Sequence, residues 1–216
     1  YGGGGSDLIE RGSGADYVSG DWGGDTLIGG LGNDTMDGGS GNDTYYVVAD
    51  GTSDSISSNY KFLGESDRIL FDSGISVSDV SFDRNEKNGL IKITQGSVTT
   101  TVTLVDLFGN ESNQINYLEF SDGTVISTTQ ILAEMSTWTA SNNSELIYGY
   151  SGNDVINGAG GADTINAGGG NDDIAGGDGE DKISGGDGND TLKGGASRDD
   201  IYGGLGDDVL EGGTGY

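Results

Sequence analysis

Aspartate returns every ninth residue through two long stretches of this chain, and that spacing limits its folds more than any other feature. Read in nines from Gly2, the chain gives GGGGSDLIE, RGSGADYVS, GDWGGDTLI, GGLGNDTMD and GGSGNDTYY. From Gly149 it gives GYSGNDVIN, GAGGADTIN, AGGGNDDIA, GGDGEDKIS, GGDGNDTLK, GGASRDDIY and GGLGDDVLE, then a partial GGTGY. Position six is Asp in all twelve full units. Position four is Gly in all but the unit with Ser197, and position eight is always apolar or aromatic, from Ile9 to Leu210. A constant period means that each unit repeats one local structure and buries its apolar residue only by stacking on its neighbours.

Composition taken alone points the other way. The 216 residues include 44 Gly and no Pro, Cys or His; the apolar fraction is 32% and the formal charge −27. High charge with low hydrophobicity marks an expanded polymer, and each glycine loses the most entropy on ordering. A disordered tract, however, has no reason to hold a nine-residue phase. The missing residue types exclude further classes. Without Cys there is no disulfide or thiolate site, and without His no zinc-protease motif or Ser-His-Asp triad. No apolar run approaches the ~18 residues of a membrane span, and no signal peptide is visible at Tyr1. The acidic surface repels nucleic acid and anionic lipid. It attracts cations.

The first six residues of each unit form a turn, in which glycines supply positive φ and let carbonyls converge. The last three form a short strand with position eight inward and positions seven and nine outward. Two units make one coil, and stacked coils build two parallel sheets around a thin apolar ladder. That ladder is too weak alone: a buried aliphatic contributes ~1.5–3 kcal/mol, whereas ordering nine backbones costs roughly 1–2 kcal/mol each. Stacking also brings equivalent aspartates within about 4.8 Å, where two carboxylates repel by about 3 kcal/mol at an effective dielectric near 20. A cation between the loops is therefore required. Carboxylates and carbonyls on a flexible loop suit calcium, which takes 6–8 oxygens, better than magnesium. No EF-hand spacing is present.

The pattern resembles G-G-x-G-x-D-x-U-x of the RTX (repeats-in-toxin) family, a calcium-binding parallel β-roll repeat, over residues 2–46 and 149–215. The resemblance implies that each ion lies between a loop and the loop two units later. The first loop gives its Asp and the carbonyls of positions two and four; the later loop gives its Asp and those of positions one and three. Asp7 and Asp25 then share an ion with the carbonyls of Gly3, Gly5, Gly20 and Trp22. Asp16 and Asp34 use Gly12, Gly14, Gly29 and Leu31, and Asp25 and Asp43 use Asp21, Gly23, Gly38 and Ser40. In the second block Asp154 and Asp172 use Tyr150, Gly152, Ala167 and Gly169, while Asp163 and Asp181 use Ala159, Gly161, Gly176 and Asp178. Asp172 and Asp190 use Gly168, Gly170, Gly185 and Asp187. Asp181 and Asp199 use Gly177, Gly179, Gly194 and Ala196, and Asp190 and Asp208 use Gly186, Gly188, Gly203 and Leu205. The implied cofactor is Ca²⁺, about eight ions by this pairing. Asp199 also faces the truncated Gly212–Tyr216 unit, an incomplete further site. Arg11, Asp21, Tyr150, Ala159, Ala167 and Ser197 stand where the pattern has glycine.

Between the blocks glycine thins out. "DGTSDSIS" and "GESDRILF" keep a trace of the repeat, Asp54 and Asp67 preceding Ile56 and Ile69 by two residues; they read as extra coils without a complete metal site. The alternation of Ile91, Ile93, Val98, Val102 and Leu104 about Gln95-Gly96 predicts a hairpin, as does Asp122-Gly123 between two β-rich runs. "STTQILAEMS" predicts a short helix with Ile131, Leu132 and Met135 on one face. Phe120–Thr124 matches the F-x-D-G-T of the haemolysin-type calcium-binding-related region, which this stretch resembles along with the segments between RTX blocks of adenylate cyclase-haemolysin toxins. Trp138, Tyr117, Phe108 and Trp22 could line a sugar site but fit a small core better. Glu111, Glu119 and Asp122 could make a glycosidase pair, but turn and strand roles explain them. Lys61 and Lys92 read as solvated.

The expected fold is all-β: two parallel β-rolls joined by a mainly β flank with one short helix. Residues 1–47 form the first block, 48–144 the flank and 145–216 the second block. The expected function is a calcium-binding structural module of a secreted bacterial exoprotein, toxin- or haemolysin-like, with no catalysis of its own. It would pass unfolded through a type I secretion system and fold in extracellular calcium. The expected partners are calcium and, via the parent protein, that machinery, with no nucleic acid, no membrane span and a monomeric state. Because both ends fall inside arrays, the chain reads as part of a longer exoprotein, with any toxin activity and export signal elsewhere. An adhesin spacer and an accessory module of a secreted hydrolase are the alternatives. An ice-binding face would need a repeated Thr or Asn row, which position three does not supply.

Overall fold

The computed structural model describes residues 1–58, 64–85, 87–108 and 115–215. They divide into two compact units, Tyr1–Ile131 and Leu132–Tyr216. Each is a parallel β-solenoid built on two main sheets, as the nine-residue pattern predicts, and the first also carries a two-stranded parallel pair, Gly3–Gly4 with Asp21–Trp22.

In the first unit one sheet runs through Leu8–Glu10, Thr26–Ile28, Thr44–Val47, Arg68–Phe71 and Tyr117–Glu119 in parallel, and ends on the antiparallel strand Val125–Ser127. The other runs through Tyr17–Ser19, Thr35–Asp37, Ser53–Ser57 and Val98–Leu104 in parallel. It is completed by the antiparallel strands Asn88–Gln95 and Val80–Asn85. The register carries the apolar ladder out of the repeats and into the flank. Ile9, Leu27, Tyr45, Ile69 and Leu118 lie side by side on one sheet. Val18, Met36, Ile56 and Leu104 do so on the other. All nine are buried. Asp54 and Asp67 thus head two further coils, as expected from their spacing. Both expected hairpins form, and the helix spans Thr128–Met135. The flank adds a core that the repeats lack: Phe71 packs on Phe120 with ring centroids 4.9 Å apart, and Ile91, Ile93, Val102, Leu107, Ile115 and Ile131 are buried.

The second unit stacks Thr137–Thr139, Val155–Asn157, Asp173–Asp178, Thr191–Ala196 and Val209–Gly213 on one side. Leu146–Tyr148, Thr164–Gly169, Lys182–Asp187 and Asp200–Leu205 stack on the other. Its core is one ladder of Ile147, Ile156, Ile165, Ala167, Ile174, Ile183 and Leu192, with Trp138 packed against it. The strands differ from the three-residue expectation. Five of them run six residues, from position seven through position three of the next unit, because loop backbones also hydrogen-bond to the loops two units away, whereas Thr137–Thr139, Leu146–Tyr148 and Val155–Asn157 keep three.

That contact fixes where glycine is needed. At Gly186 (φ 111°) an added Cβ would overlap the carbonyl of Gly168 in the loop below, whereas at Gly160 the nearest group is Asn142 Oδ1 at 3.4 Å. Gly186→Ala is expected to destabilise the calcium-loaded protein by about 1–2 kcal/mol or more, the left-handed penalty plus the clash. Gly160→Ala should be near neutral; thermal unfolding of the two variants compares them.

Candidate metal centre

The equivalent aspartates of stacked loops meet through one repeated contact. The N–H of Asp7 donates to Asp25 Oδ1 at 2.8 Å, Asp16 to Asp34 at 3.0 Å and Asp25 to Asp43 at 2.8 Å. In the second unit Asp154 donates to Asp172 and Asp163 to Asp181, both at 2.8 Å, and Asp172 to Asp190 at 2.9 Å. Asp181 donates to Asp199 and Asp190 to Asp208, each at 3.0 Å. The structure therefore brings together all eight pairs named from the sequence.

One carboxylate oxygen is occupied by this bond. The other, Oδ2 of Asp25, Asp34, Asp43, Asp163, Asp172, Asp181, Asp190 and Asp199, is buried without a hydrogen-bond partner, as is Oδ2 of Asp7, the donor that starts its column. In Asp7, Asp25, Asp163, Asp181, Asp190 and Asp199 it faces a carbonyl from two units on. A Cβ built on Gly2 would lie 2.8 Å from Asp7 Oδ2 and 2.7 Å from the Gly20 oxygen. At Gly158, Gly176, Gly185 and Gly194 the same position would meet the Oδ2 of Asp163, Asp181, Asp190 and Asp199 and the carbonyls of Gly176, Gly194, Gly203 and Gly212. Orphaned carboxylate oxygens beside converging carbonyls are hard-oxygen donors that match calcium. Leaving them buried and unsatisfied costs a few kcal/mol each, so the donor set fits a cation. The carbonyls of positions two and three take part in loop stacking. Gly12 accepts from Leu31, Asp21 from Ser40, Tyr150 from Gly169 and Ala159 from Asp178, at 2.8–2.9 Å. Trp22, Leu31, Ser40, Asp178 and Asp187 accept from position four of the earlier loop. Each carbonyl has a second lone pair for a cation. Among the described residues no three Asp, Glu, His or Cys side chains converge; any ion must draw on the backbone.

Burial raises the carboxyl pKa values of Asp25, Asp34, Asp163 and Asp181; a backbone N–H opposes the rise, and neighbouring acids add to it. For the same reasons Asp43 reaches about 7, and Asp54 and Asp172 about 6.

Three features escaped the sequence reading. Glu145 stands at position six of a unit the nine-residue frame reaches one step before Gly149, and its N–H donates to Asp163 Oδ1 at 2.8 Å. Its Oε2 is buried without a partner, and the signal was Ile147, nine residues before Ile156. Position five carries an amide ladder in which Asn171 donates to Asn153, Asn189 to Asn171 and Asp207 to Asn189. Tyr45, at an apolar position, carries its hydroxyl into the core, where it accepts from Gly38 N–H at 3.0 Å and donates to the Ser57 carbonyl at 2.8 Å.

The weighed alternatives dissolve into structure. Glu119 pairs with Arg68 at 2.9 Å, Asp122 caps its turn through Thr124 N–H, and Glu111 lies outside the described residues, as does Lys61. Lys92 pairs with Asp83 instead of being simply solvated. Arg84 covers the Phe108 ring at 4.1 Å. Trp22 is exposed, and Trp138 packs on the ladder of the second unit.

The stacked acidic loops define a parallel β-solenoid of ion-binding type. A family model described as the RTX calcium-binding nonapeptide repeat (4 copies) matches residues 1–18, 19–47, 140–174, 148–183 and 184–216, more than half of the chain. The chain belongs to this family, whose repeats bind calcium. A haemolysin-type calcium binding protein related domain matches residues 91–130. No curated protein sequence matches the chain. Among solved structures, the extracellular lipase LipA from Serratia marcescens is similar at 16% identity, over 94% of this chain and 32% of that one, with a TM-score of 0.33. The chain thus spans about a third of that protein's length, and so loose a likeness carries no argument.

The raised carboxyls give a pH dependence. They titrate near 4 when unfolded, so the metal-free fold binds more protons than the unfolded chain. The stability this lends the metal-free fold is fully present below about pH 4. It is lost as pH rises through about 6 for Asp54 and Asp172 and about 7 for Asp43. Circular dichroism in chelator should show more β-structure at pH about 5 than at about 8, and the calcium midpoint should rise on acidification as protons compete.

Proposed function

We propose that the chain is a calcium-folded structural module of a secreted bacterial exoprotein, with residues 1–47 and 145–216 as ion-binding blocks and 48–144 as the flank. The observation that carries this is the row of buried carboxylate oxygens left without partners. In a calcium-poor cytosol their mutual repulsion opposes stacking, which suits export of an unfolded chain through a type I channel. Outside, ions at 10⁻⁴–10⁻³ M, the range of extracellular modules, bind only the stacked state and stabilise it by mass action. Eight loop pairs hold the ions in the arrangement the family resemblance implies, with Glu145 and Asp163 as a further, less regular pair. The module works as a monomer. These residues act without catalysis of their own. Among the described residues no helix is long and apolar enough to cross a membrane.

Two measurements test this. Far-UV circular dichroism should lose most of its β signal, the part from the two repeat blocks, when calcium is removed; a spectrum left unchanged by excess chelator at neutral pH would refute calcium-driven folding. Ion counting should lose two ions in Asp172→Ala, whose carboxylate serves two loop pairs, and one in Asp154→Ala. Equal losses would reject the sharing of aspartates.

A further inference from the structure

The two columns of stacked acids in the first unit do not stop where the glycine repeats stop; they change chemistry. One column runs Asp7, Asp25, Asp43, Asp67 and then Asn116, whose amide oxygen accepts the Asp67 N–H at 2.9 Å. The other runs Asp16, Asp34, Asp54 and then Val102, which stands opposite Asp54 in the register. Carboxylate gives way to a neutral amide on one side and to an aliphatic on the other.

In these rungs hydroxyls reach Asp67 and the Gly32 carbonyl, while Oδ2 of Asp34 and of Asp43 stays buried without a hydrogen-bond partner. Ser58 Oγ donates to Asp67 Oδ2. Tyr45 Oη lies beside Asp43 Oδ2 at Gly38, in the place where the regular loops present a carbonyl from two units on. Thr52 Oγ1 donates to the Gly32 carbonyl at 2.8 Å, a position-four oxygen of the kind that faces the ion elsewhere. Asp50 Oδ2 accepts the Gly32 N–H at 2.8 Å. A calcium ion at Asp67 or at the Gly32 carbonyl would have to displace the Ser58 or Thr52 hydroxyl, and above the two columns it would find the amide of Asn116 and the aliphatic Val102 in place of an acid. At Gly29 and Gly38 the groups nearest an added Cβ are the Asp34 and Asp43 carboxylates and Tyr45 Oη, with no carbonyl among them, so the donor set at Asp43/Asp67 and Asp34/Asp54 is poorer than in the regular loops.

We infer that the described residues from Tyr45 to Ile131 form a calcium-independent cap on the calcium-dependent roll. Hydroxyl, amide and apolar groups replace the ion row there. The flank has the means to stand without metal: Phe71, Phe120, Ile91, Ile93, Val102 and Leu118 are buried in an ordinary apolar core, and the hairpin Asn88–Gln95/Val98–Leu104 is fully paired. The second unit has a single ladder and no such core. The cap keeps two strand edges in register in low calcium, so the neighbouring coils need only add to a formed template.

This inference rests on the calcium-folding reading, and hydrogen exchange of the full 216-residue chain, with calcium and with excess chelator at neutral pH, separates the two. In chelator, peptides within 88–104 and 117–127 should stay protected, exchanging about 100-fold more slowly than those within 155–213. Loss of protection in both sets on chelation overturns the cap and leaves calcium-driven folding intact. Full protection of both sets in chelator overturns calcium-driven folding itself. A second measurement counts ions in the calcium-loaded protein. Asp67→Asn should leave the number unchanged, while Asp25→Asn lowers it; a loss of one ion in Asp67→Asn places a cation at that rung and overturns the proposal.

Discussion

Like-charge contact between stacked loops is the constraint on which this architecture turns. A parallel solenoid repeats every side chain one strand spacing away from its equivalent, so an acid in one loop always faces an acid in the next. Isolated in water such pairs cost little, but here the carboxylates are buried and their second oxygens have no protein donor. The backbone N–H of the earlier loop satisfies one oxygen of each pair and orients the other. The result is a file of aimed, desolvated oxygens whose stability depends on what neutralises them, proton or metal ion.

The core of the second unit is thin. Its ladder holds one aliphatic per nine residues, backed by Ala167 and Trp138, against the backbone entropy of a glycine-rich loop. A wider core would let the coils stack regardless of ions and remove the sensitivity. The first unit grades from one regime to the other. Its early coils copy the second unit, while its later ones add two hairpins, a helix and the Phe71–Phe120 contact. Chemistry along the acid columns changes in step with this widening, from Asp43 to Asn116 and from Asp54 to Val102.

Glycine has two separate duties in the loops. One is conformational, the positive φ that turns the chain between strands. The other is steric: the carbonyl of one loop points at the α-carbon of the loop two units on, and a side chain there would fill the channel. Asp21 (φ 71°), Ala159 (φ 63°) and Ser197 (φ 80°) show that single positions tolerate the conformational cost, since many neighbouring hydrogen bonds hold the loop in place.

The nine-residue period by itself pointed to the parallel two-sheet stack, the inward position eight and the oxygen-only character of the site, and the resemblance to RTX repeats added the eight pairs of aspartates. All follow from which residue types recur at which interval, and a repeat propagates any local choice without change. The tertiary structure decided what does not repeat. Glu145 was missed because its loop lacks the glycines that mark a unit. Tyr45 read as one more apolar rung, because only packing shows where a phenol oxygen ends. Val102 and Asn116 lie 48 and 49 residues beyond the acids they stack on, a separation at which sequence period carries no information. Long-range register, set by hairpins and an apolar core, placed them there.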